Sequence, residues 1–317
     1  MRLRAILPLF VLAALLSIPM HVSVSFARNP DLDEIHRSIE RKGARWRAQD
    51  TSISRLRAEE RRKRLGSYVP FATDKERAPA PAPGILPAAL DWRDYNGASY
   101  VTTVKEQASC GACWSFAPTA ALESNILISR NTSGVELDLS EQTLLSCNGM
   151  GTCYGGWIDL ASDFIRDIGL PDETCCSYAG EEGFCSSVCT DWPDKSYKIQ
   201  DWYKVRPTAE AIKYALYNHG PLLTLLAVHT DFYYYREGVY SQSWGSFEGY
   251  HAAVIVGYDD AEQYFIVKSS WGTDWGEEGY SRIAYGEMAS ETQFGLWTVA
   301  YESPIPADFP TLGDIPR

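Results

Sequence analysis

Val104-Lys-Glu-Gln-Ala-Ser-Cys-Gly-Ala-Cys-Trp-Ser-Phe116 is the stretch on which the reading of this chain turns. Cys110 and Cys113 form a C-x-x-C pair, a spacing that three chemistries use. A thioredoxin-like redox pair follows a strand in a chain of about half this length. A zinc site wants a second close pair, for which only Cys185 and Cys189 offer themselves, and an oxidising compartment disfavours metal thiolates. In the third, one cysteine is a nucleophile and its neighbour a disulfide partner. That reading accounts for more of the chain.

A nucleophilic cysteine needs a depressed pKa, which the first turn of a helix supplies through its unpaired N–H groups and dipole. Cys113 stands at such a point, ahead of the small residues Ala117, Ala120 and Ala121. A base must then approach from elsewhere in the fold, and an oxyanion hole needs donors aimed at the developing charge. Gln107 stands six residues before Cys113. Its side-chain amide is placed to share an oxyanion with the Cys113 backbone N–H.

Working outward, the chain of 317 residues begins with Arg2 and Arg4, an apolar run from Ala5 to Ile18, and small residues Ser25 and Ala27 at cleavage-site spacing. This predicts a signal peptide over 1–27, too short and too proline-broken to serve as an anchor. Export permits disulfides, and all eight cysteines lie between Cys110 and Cys189. Charge divides unevenly. Arg28 to Leu90 holds 14 basic and 9 acidic residues, net +5, whereas Asp91 to Arg317 holds 13 basic and 32 acidic, net −19. A basic front piece against an acidic body suits an intramolecular clamp, and an acidic main domain excludes a nucleic-acid binder.

Leu32, Ile35 and Ile39 recur at helical spacing, so residues 28 to about 66 are expected to be helical, with Gly66 as a stop. The stretch Ala78 to Ala88 carries Pro79, Pro81, Pro83 and Pro87, an extended linker that marks a boundary. Domains are therefore expected at 1–27, 28–88 and 89–317. Beyond the linker, Ala112 to Ser129, Ser140 to Ser146, Trp157 to Ile168 and Pro207 to Asn218 read as helices. Leu222 to Val228, Ala252 to Gly257, Tyr264 to Lys268 and Tyr280 to Ala284 read as strands. Pro118 is expected to kink the central helix without breaking it.

The Cys-Gly-Ala-Cys-Trp run is similar to the signature of the papain-like cysteine proteases. Further segments in order carry the resemblance: Leu90-Asp-Trp-Arg93, Leu139-Ser-Glu-Gln142, Gly155-Gly156, Gly220-Pro221, Gly238-Val-Tyr240, Tyr250-His-Ala-Ala-Val254, Lys268-Ser-Ser-Trp-Gly272 and Trp275-Gly276. It covers nearly all of 90–300. It implies an α+β, two-lobed fold, a helical L domain beside an antiparallel, β-barrel-like R domain, with the active-site cleft between them.

The resemblance also implies a secreted endopeptidase made as a zymogen, with residues 28–88 as its inhibitory prosegment. His251, 138 residues after Cys113, would be the base, the pair working as thiolate and imidazolium through an acyl-enzyme. Gln107 would serve the oxyanion, Gly155 and Gly156 the substrate backbone, Trp271 the shielding of the base, and Val299 the floor of a hydrophobic specificity pocket. Pairings Cys110–Cys153 and Cys147–Cys185 are implied, leaving Cys175, Cys176 and Cys189 to form one more. No metal or cofactor is implied. The partners are protein or peptide substrates and the chain's own prosegment, and the mature form is expected to be a monomer outside the cytoplasm, without stable membrane insertion. One position departs from the pattern: Ser269 stands where the family has the asparagine that orients the base. A catalytically weak or silent binding protein, a transglutaminase-like acyltransferase and a thiol oxidoreductase are the competing readings.

Overall fold

Gly43, with φ +63, caps the helix that Leu32, Ile35 and Ile39 announce, and directly after it the chain turns into a strand. The computed structural model describes residues 29–70, 75–77 and 86–302. The signal peptide, its cleavage point and most of the proline-rich linker lie outside them. The leading segment comprises α1 (Pro30–Lys42), β1 (Arg45–Ala48), α2 (Ala58–Arg62) and β2 (Glu76–Arg77). The expected continuous helix is thus interrupted. Arg45-Trp-Arg-Ala48 alternates exposed and buried residues and pairs antiparallel with a strand of the main body, and this long-range pairing overrides local helical spacing.

The main body continues with β3 (Ala89–Asp91), α3 (Cys113–Ser129), α4 (Glu141–Cys147), α5 (Ile158–Asp167), β4 (Asp201–Val205), α6 (Ala209–His219), β5 (Leu222–His229), β6 (Tyr235–Tyr240), β7 (Phe247–Asp259), β8 (Tyr264–Lys268), β9 (Tyr280–Ala284) and β10 (Thr298–Glu302). Helix α3 runs unbroken through Pro118 and is buried along nearly its whole length. Ser140 caps α4 by accepting the Thr143 N–H, and Thr208 caps α6 by accepting that of Ala211.

Ten strands form one α+β sheet, in the order β1-β6-β9-β8-β7-β5-β10-β4-β2 with β3 added on β7. It is open rather than closed into a barrel, and β6–β9 and β2–β4 pair in parallel. Both ends of that path are strands of the leading segment. One apolar cluster joins this segment to the β6–β9 side through Ile35, Trp46 and Ile53. A second packs α3, α4 and α5 against Leu223, Leu225, Ala252, Val254 and Val299. Between these two cores lies the site.

Candidate active site

Cys113 is the first residue of α3, and the N-terminal turn leaves its sulfur among backbone N–H groups. Those of Ala252, Gly66, Trp114 and Cys113 itself favour the thiolate, but complete burial outweighs them and pushes the thiol up to about 11. The contact with Ala252 puts the sulfur beside the residue that follows His251. His251 lies in central strand β7, in register with Leu226 of β5. Burial holds its imidazole down at about 3, while the nearby Arg64 carbonyl pulls the other way. With the leading segment in place, burial therefore disfavours both the thiolate and the imidazolium.

His251 Nε2 lies 3.1 Å from Ser269 Oγ. Nδ1 is buried without a hydrogen-bond partner. Trp271 covers the ring, with centroids 4.4 Å apart, and is itself packed against Phe232, Tyr233 and Trp275. The Ser269 hydroxyl thus reaches the imidazole directly.

Gln107 is fully buried. Its Nε2 donates to the Cys110 carbonyl at 2.8 Å and to the Arg64 carbonyl at 3.3 Å, and its Oε1 accepts from Ser270 Oγ at 2.7 Å. Ser270 therefore fixes which face of the amide presents its N–H. Trp271 Nε1 also donates to the Arg64 carbonyl, at 3.3 Å. A backbone oxygen of the leading segment thus sits where donors converge beside Cys113.

Gly66 follows that carbonyl across the cleft. A Cβ there would lie 1.8 Å from the Gly111 oxygen, so its lack of a side chain serves close approach to Gly111. The expectation of Gly66 as a helix stop is corrected: α2 ends at Arg62 with Lys63 as its cap. Beyond it, Gly156 N–H donates to Gly66 O and Tyr68 N–H to Gly156 O, both at 2.9 Å, a parallel pairing. The Tyr68 ring packs on Trp157 with centroids 4.8 Å apart and faces Gly155. Gly156 also needs to be small, since a Cβ would lie 2.4 Å from the Trp114 ring.

Val299 is fully buried in β10, opposite Leu223 and Lys204, in the same core cluster as Leu225 and Ala252. Disulfides join Cys110 to Cys153, Cys147 to Cys185 and Cys175 to Cys189, leaving Cys113 and Cys176 as thiols. Arg64, Gly66, Tyr68 and Ser270 are the site residues that sequence reasoning missed. A basic run ending in Gly-Ser-Tyr and the doubled serine before Trp-Gly were the available signals. Behind α3, Lys105 Nζ meets Asp138, Glu141 and Glu123 at 2.6, 2.7 and 3.0 Å. This network ties the segment before Gln107 to α3 and α4.

A family model described as papain family cysteine protease matches residues 86–298. Fruit bromelain of Ananas comosus is 36% identical over 215 residues, which is 67% of this chain and 58% of that protein. Cathepsin B-like CP3 of Giardia intestinalis is 37% identical over 196 residues, 58% of this chain and 64% of that one, so the alignments span about three fifths of these relatives' length. Among solved structures, a recombinant stem bromelain precursor matches with TM-score 0.68 at 28% identity, over 86% of this chain and 88% of the other. The proform of the ragweed pollen cysteine protease Amb a 11 matches with TM-score 0.70 at 25% identity, over 88% and 91%. Both of those solved chains carry a leading segment, as this one does. With its cysteine at the head of a buried helix and its histidine on the facing strand, the chain belongs to the papain family of cysteine proteases.

Proposed function

We propose that the chain is the precursor of a secreted cysteine endopeptidase, in which residues 28–88 form an inhibitory prosegment and 89–317 the peptidase. The observation that carries this reading is the His251–Ser269 contact, which leaves Nδ1 as the nitrogen without a partner, on the strand whose Ala252 N–H meets the sulfur of Cys113. When Nε2 donates its proton to Ser269 Oγ, Nδ1 presents the lone pair that accepts the Cys113 proton. The thiolate attacks a peptide carbonyl, forming a C–S bond, and the oxyanion is held by Gln107 Nε2 and the Cys113 N–H. The imidazolium returns its proton to the departing amine as the C–N bond breaks. Water, deprotonated by the same ring, then cleaves the thioester to acid and thiol.

Because His251 protonates the departing amine, the leaving half of a substrate lies toward His251 and Trp271, and the acyl half toward Gly155 and Gly156. The prosegment passes the site from Arg64 at the Trp271 end to Tyr68 at the Gly156 end. It therefore runs opposite to a substrate, which accounts for a segment that fills the cleft without being cut. Val299, in the same core cluster as Ala252, supports a hydrophobic preference at the second residue on the acyl side. Three disulfides favour an oxidising compartment, and among the described residues no helix is long and apolar enough to cross a membrane.

The test is Cys113→Ala in the full chain. It should fold, fail to mature unaided, hydrolyse no peptide and take no label from a thiol-directed peptidyl inhibitor, whereas the matured wild type takes one label at Cys113. Self-maturation and peptide hydrolysis by the alanine variant would rule out the assignment.

A further inference from the structure

The Arg64 side chain occupies a slot that is used by none of the steps above. Its guanidinium makes an ion pair with Glu106, with the Arg64 side chain 12% exposed and that of Glu106 45% exposed. The slot is built from the body of the protein. Glu106 forms a β-bridge with Trp271, its Oε1 accepts the Ala108 N–H at 2.9 Å, and a Cβ on Gly272 would lie 2.7 Å from its Oε2. The carboxylate is thus held against the Trp271-Gly272 turn, at the end of the cleft where the leaving half departs. The same Arg64 offers its carbonyl to Gln107 and Trp271, so the distance from the reacting centre to the slot is that of one residue's own backbone and side chain.

We propose that Glu106 is a specificity residue that selects a basic side chain within the first two residues after the cut. The inference rests on the protease reading above and names the substrate class of that same site. Arg64 stands in for the substrate's arginine or lysine, and the prosegment uses the preference to hold itself in place. A positive charge near Glu106 gains a charge-assisted hydrogen bond that a neutral isostere lacks. Partial exposure limits the gain to roughly five- to tenfold in kcat/KM, and salt diminishes it.

The experiment uses enzyme matured from the full chain and internally quenched peptides that share one acyl half. At each of the first two positions after the cut they carry arginine or its neutral isostere citrulline. Taking the arginine-to-citrulline ratio for each enzyme cancels any general loss of activity. Wild type should prefer arginine by roughly five- to tenfold at one of the two positions, less at high salt, and Glu106→Gln should bring the ratio to about one. A wild-type ratio of one at both positions overturns the proposal while leaving the protease reading intact, as does a preference that persists unchanged in Glu106→Gln. Should Glu106→Gln not fold, a wild-type preference unaffected by ionic strength overturns it equally. If neither peptide is cut, the protease reading fails and the proposal with it.

Discussion

His251 Nε2 and Ser269 Oγ are 3.1 Å apart, with no intervening group, in a pocket roofed by Trp271. A hydroxyl at that distance can accept the Nε2 proton and so fix the tautomer. Ser269→Ala should lower kcat/KM by roughly ten- to hundredfold, the usual loss when a reacting group is misplaced, with little change in Tm. Ser269→Asn should not exceed wild type, because an amide oxygen reaches further than a hydroxyl that is already in contact, and would displace the ring. Steady-state kinetics of both variants on one substrate decide the matter; an alanine variant as fast as wild type would remove Ser269 from the mechanism.

Much of the site was readable because it lies in short local patterns. The cysteine run opens α3, Ser140 caps α4, and Tyr264–Lys268 and Tyr280–Ala284 are bounded by turns that fix their ends. What escaped depends on distant partners. Arg45–Ala48 becomes a strand only because β6 offers an edge, and β7 extends back to Phe247 through Gly249, which local propensity opposes. The reach of Ser269 depends on where β8 ends relative to β7. The Arg64 contacts join residues 43 and 207 positions apart. No local pattern carries such information.

Gly66→Ala should make the precursor leaky. A Cβ there meets the Gly111 carbonyl oxygen at 1.8 Å and its carbon at 2.4 Å, both backbone atoms within a disulfide-tied loop that cannot move aside cheaply. Overpacking of this kind typically costs about 1–3 kcal/mol, which corresponds to a rise of about five- to 150-fold in the open fraction. Hydrolysis of a small peptide by unprocessed precursor at neutral pH measures it. A variant as silent as wild type would show that the segment seats without that close approach.

Thiol labelling should distinguish covered from open forms. Cys176 is partly exposed, while Cys113 is fully buried, with the Gly66 backbone N–H against its sulfur. Native precursor should accept one alkyl group, at Cys176, and matured enzyme two. Cys176 should react slowly, since partial burial and Glu173 both raise its pKa. Mass spectrometry of peptides after brief alkylation reads both sites. Rapid labelling of Cys113 in the precursor would contradict the seating of the prosegment.

Acid should release the prosegment partly through His251. In the covered state burial holds the imidazole at about 3, whereas an uncovered ring titrates near its ordinary 6.5. Between those values the covered form binds fewer protons than the open one. Its advantage is therefore complete above about pH 6.5 and is lost progressively as pH falls toward 3, by up to about 1.4 kcal/mol per pH unit. Cys113 acts oppositely placed on the scale: held at about 11, it weakens the covered form only above its ordinary value of 9.0. The measurement is hydrogen exchange across Gly66–Tyr68, whose pairing with Gly156 exists only when the segment is seated. Full-length Cys113→Ala, which cannot process itself, should lose up to about tenfold protection per unit below pH 6.5 after correction for intrinsic exchange. Adding His251→Asn should make that slope shallower by about one unit of log protection per pH unit. Prosegment carboxylate pairs such as Arg62–Glu248 and Arg64–Glu106 are common to both proteins, so the difference between the two slopes belongs to the histidine. Equal slopes would assign acid release to the ion pairs alone.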